Sequence, residues 1–309
     1  MTIQINGAED GLCIVVPAFR AAYLREALAS IAAQTDTQFT CHVFDDAGES
    51  GVAKVCAEFP TFNYTRFDEN LGGKSLVAQW NRCLAQVRGP WVWLFSDDDV
   101  MAPNAVQAFK AARQRQPECA VFQFALDMVS ADLQRVLWSS TPPALESTSD
   151  FLGARLAQRR LSCLPEHIFH LPTLLALNGG FVSLPLAWNA DDATWALLGQ
   201  AHGIGGIQEA KVQWRQSAQN ISNAAHLNWE KLAADVEYLH WLAAHGFLVG
   251  EARKQSARWL GTRLIRLYQF GAADLPRLIS EVPAGQRRAL SWAALVALRD
   301  TLWPKAKRP

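Results

Sequence analysis

The sequence predicts an α/β fold built on a mostly parallel sheet, and three observations carry that prediction. Short apolar runs alternate with helical stretches through the first half of the 309-residue chain. The connectors between them are short, as strand–helix–strand units require. Acidic or turn-forming residues follow several of the apolar runs, at the strand ends where α/β sheets bind ligands.

Each element has its own warrant. Residues 12–16 form a β-type run that stops at Pro17. Residues 21–34 carry Leu24, Leu28 and Ile31 on one helical face. Residues 41–44 make a second run, closed by Asp45 and Asp46. Residues 52–59 read as helical, and residues 62–67 alternate as a half-buried strand does. Residues 75–87 return to helical spacing through Leu76, Leu84 and Val87. Residues 91–95 are the next strand, 103–113 a helix with proline in its first turn, and 119–129 a strand. Ser, Thr and Pro make 139–149 a loop, Gly179-Gly180 marks a turn, 191–198 starts a helix, and 203–206 leads into a strand through Val212 and Trp214. Beyond Ala225 long helical patterns cover 227–244, 252–270 and 287–302. The expected organisation is one domain over residues 1–224 and a helical region over 225–309.

Composition bounds the partners. Half of the residues are hydrophobic and 19% charged, an ordinary globular balance. The net charge of zero conceals a division. Residues 251–309 hold twelve basic and four acidic residues, so this tail carries +8 and the preceding body −8. An acidic body argues against nucleic acid as a partner. The tail mixes cations with aromatics: Arg258, Trp259, Arg263, Arg266, Tyr268, Trp292, Trp303, Lys305, Lys307 and Arg308. That mixture suits peripheral contact with anionic lipid, a helical bundle packed on the catalytic domain, or a homodimer surface. Six cysteines without a CxxC pair read as free thiols of a reducing cytosol. No basic-then-apolar leader and no apolar run of about 18 residues is present, so a cytoplasmic protein is expected.

The chemistry concentrates where residues 91–95 end, in Asp97-Asp98-Asp99. Three adjacent carboxylates repel unless a cation stands among them. Hard oxygen ligands there suit Mg2+ or Mn2+, with substrate phosphates filling the rest of the shell. If the strand pattern continues, Asp97 and Asp99 point the same way. A solvated acidic turn capping the next helix is the competing reading. Asp45-Asp46 is a second acidic pair at a second strand end, where a carboxylate can accept a pyrimidine N–H. Gly-Gly-Lys-Ser at 72–75 lacks the spacing of a phosphate-cradling P-loop, which leaves Lys74 as at most a helper near a diphosphate. His167 and His170 have no partners for a zinc set, and an acceptor contact or a surface role is expected of them.

Five segments in order resemble the family 2 glycosyltransferases, inverting enzymes of the GT-A fold that use nucleotide-diphosphate sugars. They are Cys13-Ile-Val-Val-Pro-Ala-Phe-Arg20, Ser30-Ile-Ala-Ala-Gln-Thr35, Asp45-Asp-Ala-Gly48, Asn70-Leu-Gly-Gly73 with Asn81, and Asp97-Asp-Asp99, placed where the family's DxD metal motif belongs. Arg20 stands where the family usually has Asn. The resemblance implies a Rossmann-like nucleotide-diphospho-sugar transferase with a C-terminal α-helical extension. It implies Mn2+ or Mg2+ on Asp99, with Asp97 as the further metal ligand. Asp97 or Asp98 would contact ribose or sugar, Pro17, Phe19 and Asp46 would line the base and ribose pocket, and Arg20 and Asp45 would be further substrate-binding residues. Asn70, Gly73, Lys74 and Asn81 would lie on the donor side. The family places an acidic pair at the start of a later helix, which implies Asp191-Asp192, with Asp192 the base. The competing reading of that pair is a helix cap. Gly180 and Trp188 would shape the acceptor pocket, and Arg215 would close over the diphosphate. The implied donor is a UDP-sugar and the implied acceptor a surface glycan or lipid-linked glycan, made in polysaccharide biosynthesis. The alternative is an inactive sugar-nucleotide or glycan-binding module on the same fold.

Overall fold

The computed structural model describes residues 11–217, 220, 223–269 and 274. These fall into two compact units. The first holds the chain up to Thr148, then Leu161–Ser183, then the chain from Ala190 through the last strand. The second holds Ser149–Arg160, Leu184–Asn189 and the helices that follow.

The first unit is a sheet with helices. Its opening strands are β1 (Leu12–Ala18), β2 (Phe39–Asp45), β3 (Asn63–Arg66) and β4 (Trp91–Leu94), joined by helices α1 (Leu24–Ala32), α2 (Ser50–Cys56) and α3 (Leu76–Leu84). They lie parallel in the order β3-β2-β1-β4. β1 is apolar and buried almost throughout, as a central parallel strand covered on both faces must be. α1 buries Leu24, Ala27, Leu28 and Ile31, the stripe its spacing predicts. α3 begins where the Ser75 hydroxyl accepts the Ala78 amide.

The sheet continues through β5 (Val100–Met101), β6 (Val121–Ser130), β7 (Val136–Ser140), β8 (Leu145–Glu146), β9 (His167–His170) and β10 (Ile204–Gln216). Helix α4 (Ala105–Arg115) follows β5, and α5 (Thr148–Leu156) follows β8. α6 (Leu171–Asn178) follows β9, and α7 (Ala190–Leu198) precedes β10. β9 lies between β4 and β6, antiparallel to both, while β10 runs parallel to β6. Trp91, Trp93, Phe109, Phe122 and Phe124 fill the core beneath these strands. The Trp93 and Phe124 rings stack at 4.7 Å, and the Trp93 indole N–H donates to the Pro165 carbonyl at 2.6 Å. Truncating a buried Trp of this kind costs about 3–5 kcal/mol.

Two expectations are corrected. Residues 139–149 are a loop only in part: β7 ends at Ser140, β8 takes Leu145–Glu146 and pairs antiparallel with β10, and α5 starts at Thr148. His167 and His170 begin and end β9 and are both buried, so neither has a surface role. The His170 ring meets Trp91 at 5.1 Å, its Nδ1 pairs with the Thr173 hydroxyl at 2.8 Å, and burial lowers its pKa to about 4. The basic and aromatic stripe of the tail divides between buried and exposed residues. In the second unit α8 (Asn228–Ala244) and α9 (Gly250–Thr262) are followed by a wider turn at Arg263–Leu267. Trp259 and Tyr268 are buried there and Arg263 is turned onto Asp235, so these members of the stripe face inward. Trp292, Trp303, Lys305, Lys307, Arg308 and the helix expected at 287–302 lie outside the described residues. Among the described residues no helix is long and apolar enough to cross a membrane. All six cysteines are free thiols, five of them buried.

Candidate active site

The carboxyl ends of β1, β2 and β4 are tied into one rim. The Asp46 amide donates to the Ala18 carbonyl at 2.8 Å, which joins β2 to β1. Asp97 Oδ2 accepts the Phe19 and Arg20 amides at 3.0 and 3.2 Å, which joins β4 to β1. Gly48 sits against Phe19, where a Cβ would come within 2.3 Å of the Phe19 carbonyl oxygen, so the turn after β2 requires glycine. Pro17 is partly covered, and Phe19 and Arg20 are exposed at this rim.

The acidic pair of β2 is neutralised by the protein itself. Asp45 is fully buried and accepts from the Gly48 amide (2.7 Å), the Tyr64 hydroxyl (2.6 Å) and Arg66 Nη1 (2.5 Å). Burial and then Asp45 push the Tyr64 phenol up to about 12. Asp46 accepts from the Leu71 and Gly72 amides at 2.9 and 2.7 Å and from Arg82 Nη2. A Cβ at Gly72 would stand 2.6 Å from Asp46 Oδ2, so this close approach also requires glycine. The Arg82 guanidinium lies 3.8 Å over the Phe67 ring. Asn70 caps the same loop by accepting the Gly73 amide at 2.6 Å. Lys74, expected near a diphosphate, is exposed and pairs with Glu69 at 2.9 Å.

The triplet after β4 differs. Residues 97 and 98 form a turn and not a strand continuation, so the alternation expected of Asp97 and Asp99 does not apply. Asp97 faces the end of β1, while Asp99 Oδ1 accepts the Arg215 amide from β10 at 2.7 Å. The second oxygen, Asp99 Oδ2, is buried with no hydrogen-bond partner. Burial raises all three carboxyls: Asp97 upward, Asp98 to about 6 with Asp97 as the next cause, and Asp99 well above the usual range with Asp98 as the next cause. Such shifts follow from crowding like charges away from water. Among the described residues no three His, Cys, Asp or Glu side chains converge as a metal-holding group. One or two carboxylates completed by substrate phosphates is nevertheless the usual way that Mg2+ is bound. The orphaned oxygen of Asp99 fits such an ion.

Arg215 is not free to close over a diphosphate in this structure. It is buried, its Nε donates to the Asp98 carbonyl at 2.7 Å, and its two Nη atoms bond the Ala131 carbonyl and Glu26. Its plane lies 4.2 Å over Tyr23. It holds the aspartate turn in place.

A chain of hydrogen bonds leads from the rim to α7. Asn81 neighbours Arg82 on α3, and its Oδ1 accepts the Phe181 amide at 3.0 Å. A Cβ on Gly180, whose φ is +148°, would meet that oxygen at 2.6 Å. The Val182 amide donates to the Thr194 hydroxyl on α7 at 3.0 Å. Asp191 and Asp192 stand in the first turn of α7, where the Asp192 amide donates to Asp191 Oδ1 at 2.9 Å and Asp192 is buried. Trp188 belongs to the second unit, with Arg263 and Lys231 over its ring at 5.1 and 5.3 Å. Tyr64, Arg66 and Arg82 were not among the expected site residues. Arg66 opposes Asp45 in the β2–β3 register, which only the pairing reveals. Arg82 had a visible signal, a basic residue in the last turn of the helix after the glycine-rich segment.

With this geometry in hand, the comparisons define the class. Residues 13–162 match the family model described as glycosyl transferase family 2. Over that stretch the chain belongs to this family, and it is a glycosyltransferase of the GT-A fold. The structure resembles S. aureus TarS 1-349 in complex with UDP, at a TM-score of 0.56 and 18% identity, covering 94% of this chain and 82% of that one. The complex of the same protein with UDP-GlcNAc aligns at 0.57 and 18%, covering 95% and 81%. The mannosyltransferase PcManGT from Pyrobaculum calidifontis, in complex with GDP-Man and Mn2+, aligns at 0.50 and 15%, covering 96% and 88%. At these identities the likeness is one of fold. No curated protein sequence matched the chain.

Proposed function

We propose that the protein transfers a sugar, with inversion, from a nucleoside-diphosphate sugar of the UDP type to a hydroxyl of a glycan or lipid-linked acceptor in the cytosol. The observation that carries the reading is the buried, unpartnered Oδ2 of Asp99 at the rim where three strand ends meet. Structural neighbours solved with UDP, UDP-GlcNAc and GDP-Man support a nucleotide-sugar donor.

In this reading Asp99, with Asp97, holds Mn2+ or Mg2+. When bound, such a cation would offset charge on the departing diphosphate. Pro17, Phe19 and Arg20 flank the nucleoside, and Asp45 and Asp46 stiffen the two loops beneath it. Asn70, Gly73 and Asn81 shape the donor side, with Lys74 near its edge and Asp98 toward ribose or sugar. Gly180 belongs to the acceptor side, and Trp188 to the turn before α7. The acceptor oxygen attacks the anomeric carbon while the bond from that carbon to the diphosphate oxygen breaks and its electron pair leaves with the diphosphate. Asp192 takes the hydroxyl proton, as a single displacement requires, with Asp191 fixing the helix start.

Calorimetry with UDP tests the donor side. Binding in Mn2+ that collapses in EDTA is expected, and equal affinity in both would overturn the role of Asp99. Asp192→Asn is expected to leave UDP affinity unchanged and to lower sugar transfer by about a hundredfold or more. Transfer at the original rate would remove Asp192 as the base. UDP binding without any transfer by the unaltered protein, across a panel of sugar nucleotides and acceptors, would favour a binding module.

A further inference from the structure

Three consecutive residues of the first unit, Gly180, Phe181 and Val182, tie helix α3 to helix α7. At the α3 end, Asn81 Oδ1 accepts the Phe181 amide at 3.0 Å. Gly180 allows that approach, because its φ of +148° is one that L side chains rarely adopt. At the α7 end, the Thr194 hydroxyl accepts the Val182 amide at 3.0 Å. The same hydroxyl donates to the Ala190 carbonyl, one turn back, at 2.7 Å. A hydroxyl has a single proton, so this pairing commits it. Thr194 is wholly buried. Between the two ends the buried Phe181 ring meets Trp80 of α3 at 5.2 Å and Trp195 of α7 at 5.5 Å. Ring packing is nearly non-directional and tolerates sliding, whereas the two hydrogen bonds fix the register. Ala190 opens α7, and Asp191 and Asp192 follow it in the first turn. α3 also carries Arg82, which is bonded to Asp46 at the rim. Every one of these residues belongs to the first unit.

We propose that Thr194 is a positioning residue for sugar transfer. Its hydroxyl fastens the first turn of α7 to the 180–182 segment, and Asn81 fastens that segment to the helix that bears Arg82. The gap between the donor side and the Asp192 carboxylate is thereby set inside one unit, by a side chain that touches no substrate. The inference rests on the reading of Asp192 as the base. Small displacements of a reacting group are expensive, of order a hundredfold for about 1 Å.

The test is Thr194→Val, which keeps the branched shape and removes the hydroxyl, beside Thr194→Ser, which keeps the hydroxyl. With UDP-N-acetylglucosamine as donor, Mn2+, and water as acceptor, UDP release is expected to show kcat lower by about tenfold in Thr194→Val at an unchanged donor KM. Thr194→Ser is expected to stay within about twofold of the original kcat. A loss of stability alone would not divide kcat from KM in that way. Hydrogen exchange, which needs no donor, is expected to quicken by about tenfold or more at 180–182 and 190–194 in Thr194→Val and to stay unchanged in β1 and β4. Should Thr194→Val not fold, Thr194→Ala takes its place with the same expectations, since its smaller side chain leaves room for a water on the stranded amide. Unaltered exchange at those residues, or exchange that quickens equally everywhere, overturns the inference. So does a kcat as low in Thr194→Ser as in Thr194→Val, or a donor KM that rises as kcat falls. An unaltered kcat in Thr194→Val beside an inactive Asp192→Asn overturns the inference and leaves the base assignment standing. Full activity in Asp192→Asn overturns the base assignment and the inference with it.

Discussion

Two acidic clusters stand at the same rim and are treated in opposite ways. Asp45 and Asp46 are buried, and each has an arginine and backbone or hydroxyl donors on its oxygens. Asp97, Asp98 and Asp99 are crowded together with backbone amides and the charge of Arg215, and Asp99 keeps one buried oxygen without a partner. The first cluster is complete as the chain folds. The second carries an uncompensated cost that a ligand would relieve. The difference separates structural acids from acids kept for a ligand, although both read as aspartate runs at strand ends.

The sharpest way to break this comparison is Asp99→Asn. The amide is nearly isosteric, so the fold is expected to keep or raise its melting temperature, because a buried carboxyl with no cation is lost. Cation-dependent UDP binding is expected to vanish, and transfer to fall by about a hundredfold or more. Calorimetry and a UDP-release assay measure both. A melting temperature that drops sharply would mean that Asp99 is structural, like the β2 pair.

Asp46→Ala probes the opposite case. It strands the Leu71 and Gly72 amides and leaves Arg82 stacked on Phe67 without its carboxylate. A loss of about 3 kcal/mol in unfolding free energy is expected by urea denaturation, with or without a divalent cation. A loss confined to cation-loaded protein would assign Asp46 to the ligand instead.

pH separates the clusters without removing a group other than Asp98. Its carboxyl is raised to about 6, by burial first and Asp97 next. The folded state therefore binds this proton more readily than the unfolded chain does. By linkage the contribution is favourable below the unfolded value and is lost as pH rises through about 6. In metal-free protein Asp98→Asn is thus expected to stabilise by about 2 kcal/mol at pH 8 and by much less at pH 5. Thermal unfolding of both proteins at the two pH values checks the sign. His170 acts in the other direction, since a folded pKa of about 4 costs stability as pH falls below its usual 6.5, but it is common to both proteins and cancels.

Much of the fold was legible because the first half obeys local rules. The Leu24–Ile31 stripe, the apolar β1 and β4, and Ser75 ahead of α3 each announce themselves. β9 was not legible: four residues buried on both faces show no alternation, and their place between β4 and β6 is a long-range fact. The rim was legible as strand ends, but its division into satisfied and unsatisfied acids was not. Arg66 reaches Asp45 by sheet register, and Arg215 reaches the aspartate turn from 116 residues away. Its buried guanidinium could not be told in sequence from one facing phosphate. The left-handed backbone at Leu186, Ala187 and Asn189 carries no glycine to betray it.

The smallest expected effect tests how complete the satisfied cluster is. Tyr64→Phe removes one of three donors from Asp45 and leaves the Gly48 amide and Arg66 in place. Both the hydroxyl's half-exposed residue and the remaining donors limit the damage, so the expected loss is about 1 kcal/mol or less. Cation-dependent UDP binding should be unchanged, because Tyr64 anchors a loop acid and not a ligand acid. A Tyr64→Phe protein with normal stability and weakened UDP affinity would place Asp45 on the nucleotide, and the contrast between the two clusters would then be one of degree.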